Sequence, residues 1–299
     1  MAEMKEKKSR KRSGSVSRRK FLEGTATAAL ITTATASCAT AQNSNTAAPG
    51  NRSTSNQNTS QGKPPALKGQ MIEYKSGEMR IPAYLSRNKS GAAQGAVLVI
   101  HEVFGLNDHI KSIADRIAAE GYLALAPNFF VRASEPPPKD TSDMTALRKA
   151  ASSIPNVVAI KDMQAGLDFL KTLNSVAPRM VSIGFCMGGG YSYQIATHTK
   201  DLAGAVIFYG RTPVELVPQV SCPLLCSFGE LDQGIPATKV KEFEDALKKA
   251  GKQADIKIYP GAKHGFFNDT RPEAYNAEAA ADAWQRTLRF FRERMGKQG

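Results

Sequence analysis

Four residues spread over more than 160 positions have types suited to acyl transfer: Glu102, Cys186, Asp232 and His264. A deprotonated cysteine is a strong nucleophile, an imidazole can hold and return the proton, and a short carboxylate can fix that imidazole in one tautomer. Cys186 stands in Gly184-Phe185-Cys186-Met187-Gly188-Gly189, between an apolar run (180–183) and a helix-compatible stretch (190–199). Glycines on both sides suit a sharp strand-to-helix turn that leaves no room for side chains. The helix that follows would aim its amide-rich N-terminus at the sulfur and favour the thiolate. The plainer reading is a buried, inert cysteine serving as a small core residue.

The other three residues weigh against that plainer reading. Asp232 follows the apolar stretch that ends at Phe228, in Gly229-Glu230-Leu231-Asp232-Gln233-Gly234. Alone it could be an ordinary turn aspartate. His264 lies in Lys263-His264-Gly265-Phe266, again just after a strand-like run, and alone it could be a surface histidine. Their order is nucleophile, acid, histidine, with intervals of 46 and 32 residues and each on a strand-end loop, which points to one catalytic unit. Glu102 ends the run Ala96-Val97-Leu98-Val99-Ile100-His101, where a charge after so apolar a strand calls for a purpose beyond solvation.

The elements that must position these residues follow from periodicity. Residues 71–74 and 79–85 read as an antiparallel opening pair. Continuous apolar runs at 96–100, 122–126, 180–183, 205–209, 224–228 and 256–259 read as strands covered on both faces. Helical spacing recurs at Ile110, Ile113 and Ile117, at Ile160, Met163, Leu167 and Leu170, at Val240, Phe243 and Leu247, and from Trp284 to Met295. Residues 132–156, with Pro136-Pro137-Pro138, read as an excursion over the sheet edge. This alternation predicts an α/β fold over residues 67–299, a single domain with a mainly parallel sheet and helices on both faces. In such sheets the functional loops gather at the carboxyl ends of the strands.

Together, His101-Glu102-Val103-Phe104-Gly105-Leu106, Gly184-Phe185-Cys186-Met187-Gly188-Gly189, Gly229-Glu230-Leu231-Asp232 and Lys263-His264-Gly265-Phe266 resemble the dienelactone hydrolase (carboxymethylenebutenolidase) family over about residues 70–295. The resemblance implies an α/β-hydrolase fold and a Cys186–His264–Asp232 triad that opens a lactone or small ester through a thioester. It also implies an oxyanion hole from the backbone amides of Val103 and Met187. Glu102 would touch the cysteine at rest and let it go when substrate binds. Arg132, in Pro127-Asn128-Phe129-Phe130-Val131-Arg132, matches one of two family arginines that bind the substrate carboxylate. The other falls where this chain has Asn268; Arg271 is near in sequence but does not align with it.

Residues 1–41 have the organisation of a twin-arginine export signal: a basic start, Ser17-Arg18-Arg19-Lys20-Phe21-Leu22, then a short Ala/Thr-rich stretch from Thr25 to Ala36. Two ends are open to it. Ala39-Thr40-Ala41 offers a cleavage site, and Thr35-Ala36-Ser37-Cys38 resembles a lipobox that would anchor lipid on Cys38. Residues 42–66, rich in Asn, Ser and Thr, read as a flexible linker. The expected location is periplasmic or otherwise extracytoplasmic, reached through the twin-arginine export machinery, with membrane attachment if Cys38 is lipidated.

The signal and linker together account for most of the formal charge of +13, since residues 67–299 carry only +5 with no basic stripe, so nucleic-acid binding is not expected. Cys222 and Cys226 lie about 13 Å apart if both belong to one strand, too far for a disulfide, and read as packing residues. No metal or cofactor motif is present, and the expected partner is a small-molecule ester or lactone. Two alternatives stay open: a redox-active exported thiol, against which no resolving cysteine is evident, and a ligand-binding relative without turnover, against which no triad member is missing.

Overall fold

A computed structural model describes residues 68–88, 93–138, 140–173 and 179–296. The twin-arginine segment, Cys38 and the whole linker lie outside the described residues. Eight strands form one sheet in the order β1-β2-β4-β3-β5-β6-β7-β8. They are β1 (Gln70–Ser76), β2 (Met79–Ser86), β3 (Ala96–Ile100), β4 (Leu123–Pro127), β5 (Met180–Phe185), β6 (Leu202–Phe208), β7 (Leu224–Gly229) and β8 (Ala254–Tyr259). Strand β2 pairs antiparallel with both β1 and β4, and every pairing from β4 through β8 is parallel. This is the α/β-hydrolase fold in a single domain.

The period of two in the strands divides the core. In β3, Ala96, Leu98 and Ile100 face one apolar cluster, and Val97 and Val99 face the other. The first cluster is closed by α3 (Asn156–Thr172), α4 (Met187–His198) and α5 (Ala237–Lys249), through Met163, Leu167, Ile195, Phe243 and their neighbours. The second is closed by α1 (Asp108–Ala119) and α6 (Ala277–Met295). Helix α1 starts where the Asn107 side chain accepts the Ile110 amide at 3.1 Å, and it buries Ile110, Ile113 and Ile117 at the helical repeat. Asn276 caps α6 likewise, accepting from Ala279 at 3.0 Å. Each fully buried Ile, Leu or Phe stabilises this arrangement by roughly 1.5–3 kcal/mol relative to exposure.

Three local readings change. Residues 132–156 contain a helix, α2 (Met144–Ser152), which buries Leu147 and Ala150 and is capped by the Asp143 side chain. The prolines at 136–138 mask it in sequence because they break periodicity just upstream. Pro127 is the last residue of β4 and pairs in register with Ala83, since a strand terminus tolerates the missing N–H. Cys222 precedes β7 while Cys226 lies within it; both are buried free thiols, and burial pushes the Cys222 pKa up to about 12.

Candidate active site

The carboxyl ends of β3, β5, β7 and β8 deliver the four predicted residues to one cleft of about 1580 Å³, lined by Glu102, Cys186, Asp232 and His264 together with residues of α2 and α4. Parallel pairing in register does this, because each strand ends at the same level and its loop opens on the same side.

Cys186 sits between β5 and α4 with φ 54° and ψ −116°, a conformation that side chains other than glycine rarely adopt. Neighbouring glycines make the turn feasible. A Cβ on Gly184 would lie 1.9 Å from the Gly188 carbonyl oxygen, and one on Gly188 would lie 2.2 Å from that of Ile100. The Cys186 amide is fastened to the Phe208 carbonyl at 3.0 Å. The turn therefore holds the sulfur at the mouth of α4, where the unsatisfied amides of the first helical turn concentrate positive potential.

His264 bridges the nucleophile and the acid. Its Nε2 lies 3.1 Å from Cys186 Sγ, and its Nδ1 donates to Asp232 Oδ2 at 2.7 Å. Asp232 is itself immobilised, because Oδ1 accepts from the amides of Gly234 and Ile235 at 2.9 and 3.0 Å. Burial alone would lower the His264 pKa. The hydrogen bonds to Asp232 and Cys186, with the charges behind them, outweigh burial and raise it to about 10.

Glu102 is 2 % exposed. Its Oε1 accepts from the Tyr209 hydroxyl at 3.4 Å and its Oε2 from Asn268 Nδ2 at 2.6 Å, while the Cys186 sulfur faces His264. Burial raises the pKa of Glu102, against the pull of His109, Asn268, His264 and Arg271. His101 secures the loop from below. Burial lowers its pKa to about 4, so the ring is neutral: Nδ1–H donates to the Glu102 carbonyl at 2.6 Å and Nε2 accepts the Phe129 amide at 3.2 Å.

Val103 and Met187 both line the cleft. The Val103 amide donates to no backbone group among the described residues, and Met187, first residue of α4, has no acceptor within its helix. Arg132 is placed elsewhere. Its guanidinium grips the fully buried Asp162 with two bonds of 2.9 and 2.7 Å and reaches the Ser76 carbonyl at 3.3 Å. Arg271 does line the cleft, lying over the Phe104 ring at 4.9 Å and paired with Glu273 at 2.5 Å.

Two participants escaped the sequence reading. Tyr209, with φ 38°, holds Glu102 through its hydroxyl and packs its ring edge-on to His264 at 5.1 Å. Asn268 stands where the family resemblance implies an arginine. The signal for Tyr209 was its position just past a parallel strand; that for Asn268 was its spacing from His264. No cluster of His, Cys, Asp and Glu among the described residues could hold a metal ion.

Comparison with known proteins relates most of this chain to one family. The sequence profile of the Dienelactone hydrolase family matches residues 81–295. A carboxymethylenebutenolidase-like protein of Saccharolobus solfataricus is 36% identical over 258 residues, covering 74% of this chain and 97% of its own. One from Salmonella typhimurium is 34% identical over 232 residues, covering 73% of this chain and 85% of its own. Among solved structures, a dienelactone hydrolase-like protein from Klebsiella pneumoniae superposes with a TM-score of 0.71 at 31% identity, covering 75% of this chain and 98% of its own.

Proposed function

The chain belongs to the dienelactone hydrolase family, and from that premise we propose that it hydrolyses a lactone or small carboxylic ester through a Cys186 thioester, with His264 and Asp232 completing the triad. The observation that carries the reading is the single imidazole within 3.1 Å of the sulfur and 2.7 Å of a buried carboxylate, inside the cleft.

In this mechanism His264 holds the proton and Cys186 attacks the carbonyl as thiolate. The developing oxyanion is met by the amides of Val103 and Met187, a device worth roughly 3–4 kcal/mol per donor in acyl-transfer enzymes. Collapse expels the alkoxide, which takes the proton from His264 and leaves the acyl group on sulfur. His264 then deprotonates a water that attacks the thioester, the acid departs, and the thiolate returns. The grip of Tyr209 and Asn268 on Glu102 supports the reading that this carboxylate has stepped away from the sulfur, as the family resemblance expects of the substrate-ready state. The substrate would be met outside the cytoplasm, after export directed by residues 1–41, with Cys38 as a lipid anchor if it is not cleaved away.

Hydrolysis of 4-nitrophenyl esters and small lactones by the purified chain tests the proposal. Cys186→Ala is expected to lose at least a thousandfold in kcat. An acyl adduct released by hydroxylamine should appear by mass spectrometry on the Cys186 peptide during turnover of a slow ester. Full activity in Cys186→Ala would end the reading.

A further inference from the structure

Apart from the triad, the protein holds a second imidazole–carboxylate pair, and neither member lines the cleft. His109 lies in the first turn of α1 with its side chain only 2 % exposed, and its Nδ1 is 3.0 Å from Asp269 Oδ1. The bond to His109 is the main reason that the Asp269 carboxyl is held below its usual range, so Oδ1 accepts and Nδ1–H donates. The other ring nitrogen, Nε2, is buried without a hydrogen-bond partner among the described residues. Half of the polar capacity of the ring is therefore idle, a cost that an apolar side chain packed beside Phe267 would avoid. What the ring supplies that an apolar side chain cannot is its bond to Asp269.

That bond closes a ring around Glu102. On one side, the loop from Glu102 to His109 is stiffened by the Gly105 amide on the Glu102 carbonyl at 3.1 Å and by the Asn107 amide on the Gly105 carbonyl at 2.9 Å. On the other side, Asp269 is the chain neighbour of Asn268. The Asn268 side-chain oxygen accepts from the Thr270 amide and hydroxyl at 3.1 and 2.6 Å, which turns Nδ2 toward Glu102 Oε2 at 2.6 Å. Among the described residues, His109 to Asp269 is the one hydrogen bond that joins α1 to the segment 265–271 after the catalytic histidine. His109 also leads the groups that offset the burial of the Glu102 carboxylate, ahead of Asn268, His264 and Arg271.

We propose that His109 and Asp269 are positioning residues, a clasp that keeps Asn268 on Glu102 and so holds this carboxylate off the Cys186 sulfur. This deepens the thiol mechanism above and rests on Cys186 being its nucleophile. With the clasp open, Asn268 moves away with its segment and Glu102 is left to approach Cys186, where a carboxylate disfavours the thiolate. The clasp touches no reacting atom.

The readout is the rate at which iodoacetamide labels Cys186 at about pH 7, resolved by peptide mass spectrometry. Cys222 and Cys226, both buried, report unfolding in the same digest. H109L and D269A are each expected to slow Cys186 labelling about tenfold, and kcat for 4-nitrophenyl hexanoate should fall with it. H109N should stay within about twofold of wild type, since an Asn amide can donate to Asp269 from the place of Nδ1. Asp269 is 61 % exposed, so D269A disturbs little packing. If H109L labels Cys222 and Cys226 as well, it has unfolded, and D269A decides. In an E102Q background both substitutions should change the rate less than about twofold, because no carboxylate remains to oppose the thiolate. A rate unaltered by D269A, or a slowing that persists in E102Q, overturns the clasp; persistence would place the effect on His264 instead. Labelling needs no substrate, so the two readings fail separately. If wild type hydrolyses no ester or lactone, the hydrolytic mechanism falls while the labelling rates still decide the clasp.

Discussion

Glu102 and Asn268 meet side chain to side chain, Nδ2–H donating to Oε2 at 2.6 Å, in a place where the two residues are only 2 % and 1 % exposed. A buried carboxylate depends on such donors, because each one lost leaves charge without its replacement for water.

Asn268→Ala is therefore expected to destabilise the fold by roughly 1–3 kcal/mol at about pH 8. Burial already raises the Glu102 pKa, so the native state binds this proton more tightly than the unfolded chain does, and stability from this group falls as pH rises through the raised value. Removing a donor that lowers the pKa raises it further. The deficit of the variant should therefore shrink on acidification. Urea unfolding at several pH values measures it, and adding Glu102→Gln should abolish the pH-dependent part.

His264 is shifted in the same direction. A pKa raised to about 10 from the ordinary 6.5 means the native state favours the imidazolium. Its contribution to stability is fully present below about 6.5 and is lost as pH rises through about 10. In Asp232→Asn the largest favourable partner becomes neutral, so the His264 titration followed by NMR should move down by more than one unit. Ester turnover should drop about a hundredfold or more, since the imidazole loses both its orientation and its charge partner.

Arg132→Leu should read out as stability. It strands the carboxylate of Asp162, which is 0 % exposed, and breaking such a pair costs about 3–5 kcal/mol. Leu at both positions should recover much of that loss. The KM for 4-nitrophenyl hexanoate should change less than twofold in the double variant, whereas a substrate-holding arginine would show itself in KM against adipate esters without a folding defect. Chemical denaturation beside steady-state kinetics separates the two.

Gly188→Ala tests the tightness of the turn. The new methyl would sit 2.2 Å from the Ile100 carbonyl oxygen and 2.6 Å from that of His101, so the loop bearing Glu102 and Val103 must move. Overpacking of this kind costs about 1–3 kcal/mol or more. Displacement of a reacting group by about 1 Å costs on the order of a hundredfold in rate. Activity should thus fall far more than the denaturation midpoint does.

Most of this architecture was legible in the sequence, because long parallel strands are apolar throughout and helices bury every third or fourth residue. The alternation through β3, α1, β4 and α3 left little freedom in topology. The positions of Cys186, Asp232 and His264 were legible for a different reason: strand-end loops with small neighbours are short and stiff. What escaped depends on contacts distant in sequence. Tyr209 reaches Glu102 across 107 positions, and Arg132 finds Asp162 across 30. No local pattern announces which of several arginines will be claimed by a buried carboxylate. Helix α2 escaped because its nine residues bury only Leu147 and Ala150, too few for periodicity to register.

That slight investment of α2 in the core separates two kinds of inheritance within one cleft. The reacting atoms hang from strands β3, β5, β7 and β8, where a change of one methyl group disturbs neighbouring backbones. The side chains that α2 contributes, Met144 and Arg148 among them, hang from a segment that can be exchanged with little debt to the sheet. Transplanting residues 140–155 between relatives should therefore move substrate preference while leaving the chemistry in place, and descendants of this fold can change what they eat without relearning how to cut it.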